Sequence, residues 1–284
     1  MLPGFWFYLP VSADTLKPDW ATDAGRDQFG LYADAEIVGV IQRFRWIEPN
    51  SFRMGSPEDE AGRYDNETQH QVNLTQGYWL ADTACTKELW EAVKQLNPNI
   101  FFEGKKQPIE NISWNDVMHF FDQIEEKHPE LKLRLPTEAE WENACRAGTE
   151  TAFHFGSDIT LDQVNYRGIW KYETDKWGEG VLKKTTEVKS YPPSAWGLYE
   201  MHGNVYEWCQ DWYGEYPSEP VIDPQGPDTG NYRVLRGGSW FNNGRNCRSA
   251  LRDFLDPSYR LNYTGFRLVR GHALKPVRVL GRVQ

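Results

Sequence analysis

The stretch from Arg233 to Arg270, RVLRGGSWFNNGRNCRSALRDFLDPSYRLNYTGFRLVR, constrains the fold of this chain more than any other. Several of its residues do fixed jobs. Gly237 and Gly238 allow a turn or a close backbone approach. Trp240 is a large apolar anchor. Arg248, Arg252 and Arg260 are planar donors suited to pinning carboxylates or carbonyls, and Gly265-Phe266-Arg267-Leu268-Val269 predicts a closing strand. Between them stand Phe241, Asn242, Asn243, Asn246, Leu251, Asp253, Phe254, Leu255, Tyr259, Leu261, Asn262 and Tyr263, which share no chemistry. A core segment would keep a steady hydrophobic period, and a catalytic centre would gather titratable groups. This stretch does neither. It predicts a rigid scaffold that carries an irregular, partly apolar contact surface over about residues 238–266.

Upstream, residues 1–35 lack clear periodicity and are expected to form an N-terminal extension, with one domain over 36–284. Val38 to Trp46 alternates as a strand does, and Pro49 to Gly55 predicts a turn and a short strand. The acidic run Glu58, Asp59, Glu60 with Asp65 and Glu67 is unspaced, which suits a solvated loop better than a metal site. Gln71 to Asp82 predicts one strand, and Thr86 to about Leu96 a helix with Leu89, Trp90, Val93 and Leu96 on one face. Ser113 with Asp116 opens a second helix whose stripe is Val117, Phe120, Phe121 and Ile124. Thr137 and Glu140 form a capping box for a third, with Trp141, Ala144 and Cys145 inward and Gly148 as the stop. Residues 165–190 are irregular, 214–231 form a Pro/Gly/Asp-rich loop, and 272–284 form a basic tail.

Four of these stretches carry a resemblance: MGSPEDE at 54–60, RLPTEAEWENACRAG at 134–148, YPPSAWGLYEMHGNVYEWCQDWY at 191–213, and the frame GGSW…NNxRNxRxAxR…GFRLV. Together they resemble the formylglycine-generating-enzyme (sulfatase-modifying factor) family over about Arg43 to Arg270. That resemblance implies an α+β, C-type-lectin-like fold with short twisted strands, few helices and much ordered loop. More narrowly, the last stretch resembles the variable proteins of diversity-generating retroelements, in which asparagine codons ending in C are scattered to other codons ending in C. Every irregular residue named above has such a codon. From Phe241 to Thr264 there is no Lys, Gln, Glu, Met or Trp, the residues such codons cannot reach. The same frame also occurs in family members that are not diversified.

The resemblance also proposes sites. A structural calcium ion would take the side chains of Glu200 and Glu207 and the carbonyls of Gly203 and Val205, an oxygen set of the kind calcium prefers. The alternative for Glu207 is a cap or a pairing with a framework arginine. Where Glu200 stands, the family more often has Asn or Asp. The formylglycine-generating enzymes use a copper-binding cysteine pair just after the Gly-Gly-Ser turn. Here Phe241 to Asn246 occupy that stretch, and Cys247 falls at neither catalytic position. No copper is therefore expected, and no catalytic residue is assigned. An iron-dependent branch of the family needs an HxxxE pattern that is missing, and the six histidines are scattered singly.

The whole-chain numbers narrow the function classes. A net charge of −10 without a basic block argues against nucleic-acid binding. The four cysteines, Cys85, Cys145, Cys209 and Cys247, form no CxxC pair and are expected to be small buried residues rather than disulfides. The N-terminal apolar run is broken by Pro3, Gly4 and Pro10 and lacks a basic region, so no signal peptide and a cytoplasmic location are expected, with surface display left open. No stretch is long enough to span a membrane. The expected function is non-catalytic binding of a macromolecule, in particular a protein surface, since a shallow aromatic face suits proteins better than a deep cleft does. Two alternatives stay open: a formylglycine-generating-enzyme-like oxidoreductase, and a regulatory module of a larger assembly.

Overall fold

The computed structural model describes residues 17–94, 100–170, 176–272 and 274. In chain order its elements are β1 (Asp23–Asp27), β2 (Gly30–Ile37), β3 (Val40–Ile47), β4 (Asn50–Met54), β5 (His70–Leu74), β6 (Tyr78–Ala81), α1 (Lys87–Lys94), α2 (Trp114–Lys127), β7 (Leu133–Arg134), α3 (Glu138–Arg146), β8 (Tyr206–Trp212), β9 (Val221–Ile222), β10 (Arg233–Arg236), β11 (Arg252–Leu255), β12 (Thr264–Phe266) and β13 (Val269–Arg270). Among the described residues, short strands, three α-helices and long ordered loops bear out the α+β expectation. The strands form a six-stranded sheet in the order β1-β2-β3-β6-β13-β7, a four-stranded sheet β11-β10-β8-β12, and a three-stranded sheet β4-β5-β9.

Among the described residues three apolar clusters form; the smallest gathers Phe153, Val164, Tyr166 and Cys247, and the two larger ones pack on these sheets. One gathers Ala33, Ala35, Ile37 and Phe44 with α1, the stripe of α2, and Tyr206, Trp208, Leu235 and Phe266 of the four-stranded sheet. The other gathers Met54, Val72, Tyr78 and Leu80 with Trp141, Ala144 and Cys145 of α3 and with Cys209 and Val234. Each fully buried large side chain contributes roughly 1.5–3 kcal/mol, so α2, with Val117, Phe120, Phe121 and Ile124 all inward, is held mainly by packing. Both capping boxes form as the sequence predicts: Ser113 with Asp116, and Thr137 with Glu140. Ala147 closes α3 in the left-handed region, one residue before the Gly148 expected as the stop. All four cysteines are buried and free.

Three expectations about the strands are corrected. The boundary at 35 falls inside β2, and β1 and β2 pair in register from Asp23–Asp34 to Asp27–Gly30, so residues 23–35 belong to the sheet. The alternation there rests on Ala33 and Ala35, whose small side chains give a weak hydrophobic signal although both are buried. The predicted strand from Gln71 to Asp82 is two strands, β5 and β6, in different sheets, with a turn between them. The predicted closing strand is also split: β12 runs parallel to β8, while β13 joins β6 and β7, and the chain crosses from one sheet to the other at Arg267 and Leu268. The end of the predicted first helix (Leu96) and most of the basic tail lie outside the described residues.

Candidate functional site

The frame beneath the irregular segment is built from buried ion pairs. Arg248 donates to Glu67 Oε1 at 2.6 Å, to Glu67 Oε2 at 2.8 Å, to Glu60 Oε1 at 2.6 Å and to the carbonyl of Gly62. Glu60 and Glu67, expected to be part of a solvated loop, are instead the carboxylates that this arginine pins, because the loop folds back onto residues 245–248. Arg252 forms a buried fork with Glu138 at 2.7 and 2.9 Å, and Arg260 forms an exposed one with Asp116 at 2.7 Å. Arg236 reaches Glu142 and the carbonyls of Ser249, Ala250 and Leu251. Arg252, Arg236, Glu207 and Gly265 lie in one row across the four-stranded sheet. Glu138, Glu140 and Glu142 of α3 are all buried, each paired with an arginine: Glu138 with Arg252, Glu140 with Arg134, and Glu142 with Arg236 and with Arg146, which is buried beside it.

Two turns lock the frame. At Gly55 φ is +88° and a Cβ would stand 2.6 Å from the Thr68 carbonyl, so the Met-Gly-Ser turn can lie flat on residues 67–68 while its N–H donates to Glu142. At Gly238 φ is +71° and a Cβ would meet the Asn246 carbonyl and the Cys247 sulfur, both at 2.7 Å. The Gly-Gly pair therefore performs both jobs predicted for it. Trp240, 6% exposed, donates its indole N–H to the Asn262 carbonyl, which ties the start of the segment to its end.

On this frame most of the irregular residues reach solvent. Phe254 and Tyr259 are exposed, and Phe241, Asn242, Asn246, Asp253, Leu255, Leu261, Asn262 and Tyr263 are half-buried. Two are not surface residues. Leu251 belongs to the core shared with Phe266, and Asn243 is buried where it precedes the 3-10 turn Gly244–Cys247. Leu251, just before β11, points inward because its side chain packs in the core with the α2 stripe and Phe266, while Arg252 turns to Glu138.

The expected single patch is divided. Phe241 stacks on Tyr263 at 5.3 Å and meets Trp240 and Trp177 edge-on, while Trp177 and Phe102 flank Trp240. Phe254 sits at the other edge of the sheet with Tyr213 at 4.4 Å and Tyr232 at 5.1 Å. Three strand spacings separate β11 from β12, about 14 Å. Phe102, Trp177, Tyr213 and Tyr232 were missed in the sequence because they lie outside the segment, in loops without period. The one signal available there was a large ring among loop residues.

The residues proposed for calcium do not fit that ion. Both Glu207 oxygens accept from Arg267, at 2.9–3.2 Å, and Oε2 also accepts the Trp141 indole N–H at 2.7 Å, which is the pairing with a framework arginine foreseen as the alternative. Glu200 accepts the N–H groups of Lys189 and Tyr191, and burial pushes its carboxyl up to about 7. A carboxylate that already neutralises a buried guanidinium has little left for a divalent cation. Gly203 donates its N–H to the Gly237 carbonyl, and Val205 is buried. Among the described residues no group of three or more His, Cys, Asp or Glu is arranged to hold a metal. Nor do the residues fit copper: the stretch after Ser239 carries no thiol before Cys247, which is buried, and its pKa is pushed up to about 12 by burial.

Comparison with known proteins adds to this geometry. The model of the sulfatase-modifying factor enzyme 1-like domain matches residues 38–272. The formylglycine-generating enzyme of Mus musculus is 34% identical over 210 residues, which cover 72% of this chain and 54% of that protein. A serine/threonine-protein kinase, pkn1, of Chlamydia caviae is 37% identical over 171 residues, 58% of this chain and 24% of the kinase. The chain thus spans about half of the mouse protein and a quarter of the kinase. Among solved structures, Treponema denticola variable protein 1 superposes with a TM-score of 0.71 at 27% identity, covering 84% of this chain and 98% of its own. PvdO from Pseudomonas aeruginosa shares the fold, with a TM-score of 0.68 at 24% identity over 89% of this chain and 99% of its own. The C-type-lectin-like fold expected from the sequence motifs is the fold of this chain. Among the described residues no helix is long and apolar enough to cross a membrane.

Proposed function

The chain belongs to the sulfatase-modifying factor enzyme 1-like family, and from that premise we propose that it is a non-catalytic binding protein whose segment 238–266 presents a diversified contact surface to a protein partner. One observation carries the reading: residues of the frame and residues of the surface alternate in the same short stretch. Trp240, Arg248, Arg252 and Phe266 are buried; Arg248 and Arg252 are bonded to Glu67 and Glu138, far away in the chain, and Trp240 to Asn262 at the end of the segment. Phe241, Phe254, Tyr259 and Tyr263 stand on that frame with their rings at least partly in water. Exposed aromatic groups of this kind mark interaction sites, and a few such rings commonly carry most of the affinity. Similarity to a variable protein of Treponema denticola supports the same reading.

The test is a display library in which Phe241, Asn242, Asn246, Asp253, Phe254, Leu255, Tyr259, Leu261, Asn262 and Tyr263 are randomised with codons ending in C. Most members should fold, as judged by protease resistance, and binders to unrelated protein baits should be selectable. A library in which most members unfold would refute the surface role, because the irregular residues would then be holding the fold together.

The similarity to formylglycine-generating enzymes favours a second reading, oxidation of a cysteine in a sulfatase-type peptide. It predicts copper-dependent loss of the peptide thiol by mass spectrometry. The binding reading predicts an unchanged peptide with or without copper.

A further inference from the structure

The loops beside Trp240 carry two exposed apolar side chains from outside the variable segment. Phe101 and Leu182 are 62% and 49% exposed, large values for such side chains. Phe101 adjoins Phe102, whose ring meets Trp240 at 5.4 Å, and Leu182 adjoins Lys183, whose ammonium lies 5.3 Å from the centre of the Trp177 ring. The two loops that carry them are fastened to one another. Val188 N–H donates to the Lys106 carbonyl at 2.9 Å, and Thr185 Oγ1 donates to Gln107 Oε1 at 3.0 Å. The first loop is fixed from below as well: Glu110, fully buried, pairs with Lys87 at 3.1 Å and accepts the N–H groups of Phe101 and Phe102 at 2.8 and 3.2 Å. These apolar side chains are therefore held in water by an ordered scaffold.

The charge on these loops opposes that of the whole protein. Residues 101–106 and 176–184 carry five lysines, Lys105, Lys106, Lys176, Lys183 and Lys184, against Glu103 and Glu179, in a chain of net charge −10. All five lysines are exposed. The variable side chains at the centre of the face, Phe241, Asn242, Asn262 and Tyr263, are neutral. Charge recognition on this face can then come only from outside the segment, while shape and stacking come from within it.

We propose that this face takes an acidic, aromatic-bearing segment of a partner protein, with Lys105, Lys106, Lys183 and Lys184 supplying charge complementarity around the Phe101, Trp177, Phe241 and Tyr263 rings. The proposal rests on the contact-surface reading above and adds the chemistry of the partner. Complementary charge at the rim of an apolar contact speeds encounter and rejects partners of the wrong sign. The variable rings can then change without loss of the shared preference for acid.

Fluorescence anisotropy with a labelled random copolymer of glutamate and tyrosine tests this on the full chain, against a lysine–tyrosine copolymer. The acidic copolymer should bind at least about tenfold more tightly, and binding should weaken steeply as salt rises from about 50 to about 300 mM. Lys183→Glu with Lys184→Glu should weaken it by at least about tenfold, with an unchanged melting temperature. Equal binding of the two copolymers, or no effect of the charge reversal, would overturn the proposal. Tighter binding of a single-stranded RNA oligonucleotide or of phosphatidylserine-containing vesicles would overturn it too, by showing a different class of partner. Phe241→Ser with Tyr263→Ser should also weaken the copolymer. If that pair has no effect while charge reversal abolishes binding, the contact-surface reading fails and the charge recognition stands.

Discussion

Arg248→Ala is the sharpest test of the frame. Arg248 is completely buried, and its guanidinium is the partner of two carboxylates, those of Glu67 and Glu60, and of the Gly62 and Arg245 carbonyls. The substitution leaves Glu67 fully buried with the Ser56 hydroxyl as its remaining hydrogen-bond donor. Removing one partner of a buried pair costs about 3–5 kcal/mol, because the remaining charge keeps its desolvation penalty without compensation. The Gly62 carbonyl keeps the Arg245 Nε–H at 2.6 Å, whereas the Arg245 carbonyl loses the donor Arg248 gave it, which adds about 1 kcal/mol. The total is a large part of the 5–15 kcal/mol that a domain typically has. Urea denaturation followed by tryptophan fluorescence should show a lower midpoint with the slope preserved, the product of shift and slope giving that loss. Arg248→Met combined with Glu67→Gln should recover about half of the loss or more, since replacing both members of a buried pair costs far less than removing one. A loss below about 1 kcal/mol for Arg248→Ala would refute the reasoning, because it would mean that the loop of Glu60 and Glu67 is not held by this residue.

The surface and the core should separate cleanly within the segment. Tyr259→Ala, at a position 60% exposed, should change stability by no more than about 0.5 kcal/mol, whereas Leu251→Ala should cost about 2–5 kcal/mol; chemical denaturation of the two variants checks both. Glu200 gives a dependence on pH. Because burial raises its folded pKa to about 7, its contribution is fully present below the free value near 4.5 and is lost as pH rises through about 7. Glu200→Gln should flatten the fall in melting temperature over that window, an effect of at most about 3 kcal/mol. Melts with calcium and with chelator should coincide, because the Glu207 oxygens are held by Arg267 and Trp141; a rise with calcium that Glu207→Ala removes would reverse this assignment.

Local structure, and the residues that would act as clamps, could be read from residue type alone. The capping boxes at Ser113 and Thr137, the stripe of α2, the Gly-Gly turn and the role of Arg248, Arg252 and Arg260 as clamps on carboxylates were all legible, because each depends on residue type at short spacing. Tertiary structure decided everything that depends on a distant partner. It made Glu60, Glu67, Glu138 and Glu142 buried anions rather than solvated ones, since their arginines arrive from more than 90 residues away in the chain. It drew residues 23–35 into the sheet, where pairing with β3 fixes strands whose own hydrophobic signal is weak. It also turned Leu251 inward and parted Phe254 from Tyr263, because packing against α2 and the order of strands in a sheet assign insides and edges that composition cannot.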